Sequence, residues 1–126
     1  MKTTYITLFV LLVFLSGCGT TSHSLEVTAT AYTSSKGETD STPFTTAWGD
    51  KLKPGMKSIA VSRDLIKMGL THGVIVRIDG LEDEYVVLDK MNRRWKKKID
   101  IYMGNDRKAA LQWGKQKVVI HWESEN

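Results

Sequence analysis

The 126-residue sequence is poor in cysteine, proline and histidine, with one, two and three of each. A single cysteine rules out a disulfide within the chain and a cysteine-based zinc site. His23, His72 and His121 are scattered, with no pair at metal-ligand spacing and no His-Glu-x-x-His pattern. No metal and no cofactor are expected. Gly-rich loops of the Walker or Rossmann type are missing too, which removes the commonest nucleotide sites. Long apolar runs are scarce, and the one present is confined to residues 6–15. The charge excess is small, 18 basic against 14 acidic side chains, and a net +4 selects no partner by itself. What is there suits a folded domain: 41% apolar and 25% charged residues. That balance argues against a mostly disordered chain and against a multi-span membrane protein. The length suits one domain.

Residues 1–18 read MKTTYITLFVLLVFLSGC. Their apolar run of ten is interrupted only by Thr7. A spanning helix needs about 20 apolar residues, so the run suits the apolar region of a signal peptide. Leu15-Ser16-Gly17-Cys18 resembles the bacterial lipobox. The resemblance implies a lipoprotein signal peptide over 1–17, lipidation of Cys18, and a lipidated cysteine and tether over 18–24. The plainer alternative is a secretory signal with an incidental cysteine. Gly19, rather than Asp, follows the cysteine. By resemblance to enterobacterial sorting, that favours the outer membrane, facing the periplasm.

The rest of the chain reads mostly as strand. Leu25, Val27, Ala29 and Ala31 alternate with Glu26, Thr28, Thr30 and Tyr32, a period of two. Residues 33–43 are rich in Ser, Thr, Gly and Asp and read as a loop. Pro54-Gly55 and Asp79-Gly80 are turn signals. Strands are expected over 58–62, 73–78, 84–88, 98–102 and 117–122, with a helical turn over 63–68. The segment 106–113 is helix-compatible, with Ala109, Ala110 and Trp113 on one face and Gly114 as its stop. About six short strands separated by turns predict a small barrel or sandwich.

Three stretches match a known family. They are Thr28-Ala29-Thr30-Ala31-Tyr32-Thr33 with Thr46-Ala47-Trp48-Gly49 and Leu52-Lys53-Pro54-Gly55; Ser58-Ile59-Ala60-Val61-Ser62-Arg63-Asp64-Leu65; and Val86-Val87-Leu88-Asp89 with Lys98-Ile99-Asp100-Ile101-Tyr102-Met103, followed by Ala109 to Gly114 and Val118-Val119-Ile120. Together they resemble the 3D (three-aspartate) domain and are similar to the catalytic barrel of membrane-bound lytic transglycosylase A. The resemblance covers residues 25–122, and the domain is expected over 25–123. It implies a mainly β fold, a six-stranded double-psi β-barrel with short helices. Its most specific element is a pair of aspartates eleven positions apart, each after an apolar strand. Asp89 matches the family's second aspartate and Asp100 its third, the catalytic acid of the transglycosylase. Ser62 stands where the first aspartate commonly lies, and Asp64 follows two residues on. Where the family is often Gly-rich after the second aspartate, this chain has Lys90-Met91-Asn92-Arg93-Arg94-Trp95.

The implied activity is cleavage of the MurNAc-GlcNAc bond of peptidoglycan. A glycosidic leaving group must be protonated, so one carboxyl must hold its proton near neutral pH. A lytic transglycosylase uses one residue, first as acid and then as base. The pair suits this, with Asp100 protonated and Asp89 charged. Both could equally be turn residues bonded to local N–H groups. For Asp64 the plainer reading is stronger, with Ser62 as N-cap of a helical turn. Candidate substrate contacts are Thr33, Thr46, Trp48, Trp95 and Asp64, with Thr45 beside them. Thr33, Thr45 and Thr46 could equally be turn residues. Trp95 is a sugar platform or a half-buried anchor, whereas Trp113 and Trp122 read as core. Residues 93–98 carry five positive charges in six positions. They read as a solvated loop or as an attraction for anionic wall polymer. The expected partners are peptidoglycan glycan strands and, through the lipid, a membrane, with no nucleic acid. The alternative to an enzyme is a non-catalytic wall-binding or accessory lipoprotein.

Overall fold

A computed structural model describes residues 19–34 and 44–125. The signal segment 1–17, the Cys18 lipidation site and most of the loop expected over 33–43 lie outside the described residues.

The period-two apolar segments become strands, because alternate side chains must leave water on one face. In chain order the elements are β1 (Thr20–Tyr32), β2 (Phe44–Thr45), β3 (Lys51–Leu52), β4 (Ser58–Val61), α1 (Arg63–Lys67), β5 (Ile75–Ile78), β6 (Glu84–Lys90), β7 (Lys98–Tyr102), α2 (Arg107–Trp113) and β8 (Gln116–Glu125). Six of the strands close a ring in the order β1-β7-β4-β6-β5-β8, with β8 pairing back onto β1. Closure removes exposed sheet edges. The β1–β7 and β4–β6 pairs are parallel and the other four antiparallel. The short β2–β3 hairpin stands apart and was not foreseen from the sequence.

The ring is filled by Val27, Ala29, Ile59, Val61, Val76, Ile78, Tyr85, Val87, Ile99, Ile101, Val118, Ile120 and Trp122, with Leu65 and Leu70 closing it beside α1. Burying one such aliphatic side chain stabilises by about 1.5–3 kcal/mol, so this core dominates the fold. Gly69 (φ +100) ends the α1 turn where a Cβ would meet Ser124 Cβ at 2.8 Å. Asp106 caps α2 by accepting from the Ala109 N–H at 2.9 Å, and Gly114 ends it as expected. Ser62 occupies the N-cap position of α1 without a capping bond, because its Oγ accepts from the Lys98 N–H.

Several boundaries differ from the sequence reading: β5 begins at Ile75, β6 runs on to Lys90 and β8 spans Gln116–Glu125. The polar stretch expected as a tether over 18–24 is strand from Thr20 onward. It pairs with β8 from Thr20↔Glu125 through Ser24↔His121, so the ladder also extends past residue 123. The reason is long-range: β8 offers a partner at each position. His23 bonds Ser124 at 2.6 Å and stacks on Trp122 at 5.0 Å, and Ser24 bonds His121 at 2.7 Å.

Candidate functional site

Register brings Asp89 and Asp100 to either side of one small residue. Ala60 on β4 pairs with Asp100 on β7 in one direction and with Asp89 on β6 in the other. Thr30 on β1 pairs with Asp100. The row Asp89, Ala60, Asp100, Thr30 therefore crosses four neighbouring strands. Ile59, Val61, Ile99, Ile101 and Ala29 flank its members and fill the core. By alternation the row lies on the outer wall of the ring. A register shift between Ile59 and Ala60 is what admits Asp89. Ile59 pairs with Val87, and Ala60 then skips Leu88 to meet Asp89. Without the bulge, Asp89 would follow Val87 onto the core face; bulges commonly re-aim a side chain in this way.

Each carboxyl has its own surroundings. Asp89 Oδ1 accepts from the Ala47 N–H and the Lys90 N–H, both at 2.9 Å. Asp100 Oδ1 accepts from the Thr30 hydroxyl at 3.0 Å. Burial pushes the Asp100 carboxyl above its ordinary value; Thr30 and Lys98 oppose the shift, and the Asp89 charge adds to it. Tyr32 completes the site. Its phenol is pushed up by burial and by both carboxylates, so it stays a neutral donor. Its hydroxyl is buried with no hydrogen-bond partner among the described residues. A buried donor without a partner costs about 1–3 kcal/mol, which a bound ligand oxygen would recover. Phe44 and Tyr102 hold the Tyr32 ring at 5.9 and 5.4 Å between centroids.

The remaining candidates divide. Thr46 is buried, and its Oγ accepts from the Asp50 N–H at 3.0 Å, so it organises the 46–50 turn. That turn carries the Ala47 N–H to Asp89 and sets Trp48 beside it. Trp48 packs against the core, edge-on to His72 at 5.3 Å, with Lys90 Nζ 5.6 Å from its ring. Thr33 directly follows Tyr32 at the end of β1. Trp95 is half-buried and engaged by two cations, Lys98 Nζ at 3.6 Å and Arg94 Cζ at 4.7 Å. Asp64 is outside the row. Its Oδ2 accepts from the Lys97 N–H at 2.9 Å, tying α1 to the start of β7. Burial pushes its carboxyl up, but the Ser62 hydroxyl, the Lys97 N–H and its own N–H outweigh this and lower it. Sequence reasoning missed Thr30 and Ala60 as site members. Tyr32 was visible only as the end of the Thr-Ala-Thr-Ala-Tyr strand. No group of three His, Cys, Asp or Glu among the described residues is arranged to hold a metal.

A cleft of about 870 Å³ lies elsewhere, lined by Ser24, Val74, Ile75, His121 and Trp122 among others. Two pairs of its polar side chains bond each other, His23 with Ser124 and Ser24 with His121. His121 bridges Ser24 at 2.7 Å and Asp79 at 2.8 Å.

No family model matches the chain, and no curated protein matches it. Among solved structures it is similar to a Streptomyces papain inhibitor, at 18% identity and a TM-score of 0.56, over 82% of this chain and 96% of that one. At that identity the likeness is one of fold. The class defined is a mainly β protein with six strands closed into one ring.

Proposed function

We propose that the ring is a double-psi barrel of the 3D kind and that the chain cleaves the MurNAc-GlcNAc bond of peptidoglycan as a lytic transglycosylase. The observation that carries the reading is the pairing of Asp89 and Asp100 across Ala60, with the Tyr32 hydroxyl, buried without a partner among the described residues, beside them. The two parallel pairs within an otherwise antiparallel ring support the barrel type.

Asp100 gives its proton to the glycosidic oxygen as the bond to muramic C1 breaks. Asp89, charged and held by two N–H groups, stabilises the oxocarbenium-like sugar. The C6 hydroxyl of the same sugar then attacks C1 and returns a proton to Asp100. The new C1–O6 bond makes a 1,6-anhydro end, and no water is consumed. A carboxyl raised by burial suits the first step. The neutral Tyr32 phenol donates to a sugar oxygen. In this reading the chain is exported and lipid-anchored through Cys18 in the bacterial envelope, with the outer membrane favoured.

A second reading is a wall-binding module without turnover. It is favoured by Asp64, which is committed to the Lys97 N–H rather than to the row. Mass spectrometry of sacculi incubated with the full chain, beside Asp100→Ala and Asp89→Ala, separates the two. Anhydro-muropeptides from wild type and none from Asp100→Ala are expected. Reducing-end products would mean hydrolysis. No products from any version would leave the binding module.

A further inference from the structure

The β6–β7 connection is a built cationic surface. Arg93, Arg94, Lys96 and Lys97 are exposed, and Lys98 is half-exposed. Ion pairs among the described residues join Lys57–Asp83, His72–Asp50 and His121–Asp79, and none involves these five cations. Unpaired like charges repel, so a folded loop holds them together only where its backbone is fixed.

It is fixed at both ends. Arg63 Nε donates to the Met91 carbonyl at 3.2 Å, and Met91 N–H to the Val61 carbonyl at 2.9 Å. At the far end Lys97 N–H donates to Asp64, and Thr28 N–H to the Lys97 carbonyl. Lys97 has φ +44, the one positive value at a non-Gly described residue. Such a backbone costs of order 1 kcal/mol or more and persists only where the surroundings impose it. Trp95 carries Arg94 and Lys98 on its ring, which orders two of the charges. Lys98 is two positions from Asp100 on β7, so both lie on the outer wall. The cationic surface thus runs directly into the carboxylate row.

We infer that this surface, centred on Arg93, Arg94, Lys96 and Lys98, binds the carboxylates of the peptide stems attached to a glycan strand lying in the row. The inference rests on the wall reading above and names its substrate: peptide-bearing rather than bare glycan. Stem peptides are acidic and recur along the strand, so a fixed cluster beside the cleavage point meets one at each register. Arginine suits the task because its planar fork matches a carboxylate.

The test is sedimentation of the full-length Asp100→Ala chain with purified sacculi, which reads binding without cleavage. Three preparations are compared: untreated, amidated at the peptide carboxylates with carbodiimide, and stripped of phosphodiester polymers with hydrofluoric acid. Amidation is expected to weaken binding about ten-fold, the sum of three or four modest screened pairs. Acid stripping is expected to leave binding unchanged. Replacing Arg93, Arg94 and Lys96 together by Gln should reproduce the amidation effect, and replacing Lys108, Lys115 and Lys117 by Gln should not. The inference is overturned if amidation changes nothing, or if stripping, not amidation, weakens binding. It is also overturned if the loop variant binds sacculi as wild type does and loses only affinity for duplex DNA, or if both triple variants lose equally. If wild type releases anhydro-muropeptides while binding ignores the carboxylates, this inference falls and the enzyme reading stands. Charge-dependent binding without product gives the reverse.

Discussion

Two polar regions of the molecule invite a functional reading, and they differ in how their hydrogen bonds are settled. Beside the β1–β8 ladder, the cleft of about 870 Å³ has His23 bonded to Ser124, and His121 bonded to both Ser24 and Asp79. These bonds fasten the start of β1 to β8 and tie His121 to Asp79. Around Ala60 the accounts are open. Tyr32 keeps a buried hydroxyl with no partner among the described residues, and Asp100 keeps a carboxyl raised by burial. Concavity alone would have chosen the first region. An unsatisfied donor and a perturbed acid choose the second, because they retain free energy that a ligand can recover.

The comparison breaks most sharply at Asp100. Asp100→Asn should cut glycan cleavage by about 10³-fold, in the range of a lost general acid. Stability at neutral pH should hold or rise, since a buried charge is removed; muropeptide release and thermal melting read the two effects. Ala60→Leu should come next. An isobutyl group between the two carboxyls should lower cleavage at least ten-fold, with an overpacking cost of about 1–3 kcal/mol. Tyr32→Phe and Ser24→Ala form an opposed pair. Loss of the orphaned phenol should slow cleavage about ten-fold, worth about 1.4 kcal/mol, without lowering the melting temperature. Loss of the Ser24 hydroxyl should cost about 1 kcal/mol of stability and leave cleavage unchanged. A Tyr32→Phe chain that melts early but cleaves normally would reverse the assignment of the two regions.

The smallest expected effect is in pH dependence. Asp64 is lowered from 3.8, so its stabilisation is present above that value and lost as pH falls through the folded pKa. Asp64→Asn should therefore destabilise by about 1 kcal/mol at pH 7, and by less at pH 3. Asp100 is raised, so its neutral form is the one the fold favours. Its contribution is present below the ordinary value and lost as pH rises through the folded pKa. Asp100→Asn should compare better with wild type at pH 7 than at pH 3. Paired denaturant curves at the two pH values check both signs.

Much of the ring was legible because its signals are local. The alternations ending at Tyr32 and running through Val76 and Ile78 give the buried faces directly, and β7 matches the expected 98–102. Asp106 and Gly114 mark the ends of α2 by their own chemistry. The tether over 18–24 misread because Thr, Ser and His suit a solvated linker until β8 offers a ladder, which is a long-range fact. Asp89 and Asp100 were singled out through the family resemblance that the residues around them carry. That they meet across Ala60 depends on a bulge, and no pattern in the sequence announces one. Thr30 entered the site by register alone. Trp95 was expected as a sugar platform or anchor, and its ring carries Lys98 and Arg94.

The central claim is that the fold pushes the Asp100 carboxyl above its ordinary value by burying it, while hydrogen bonds hold the Asp64 carboxyl, in the same protein, below it. Carbon-13 NMR titration of the aspartate carboxyls, assigned with the two Asn variants, tests it directly. The account predicts an Asp100 midpoint above the ordinary 3.8 and an Asp64 midpoint below it. It also predicts that the Asp100 midpoint falls in Asp89→Asn, where a neighbouring negative charge is gone. An Asp100 midpoint at or below the ordinary value would contradict the account and remove the acid from the proposed reaction.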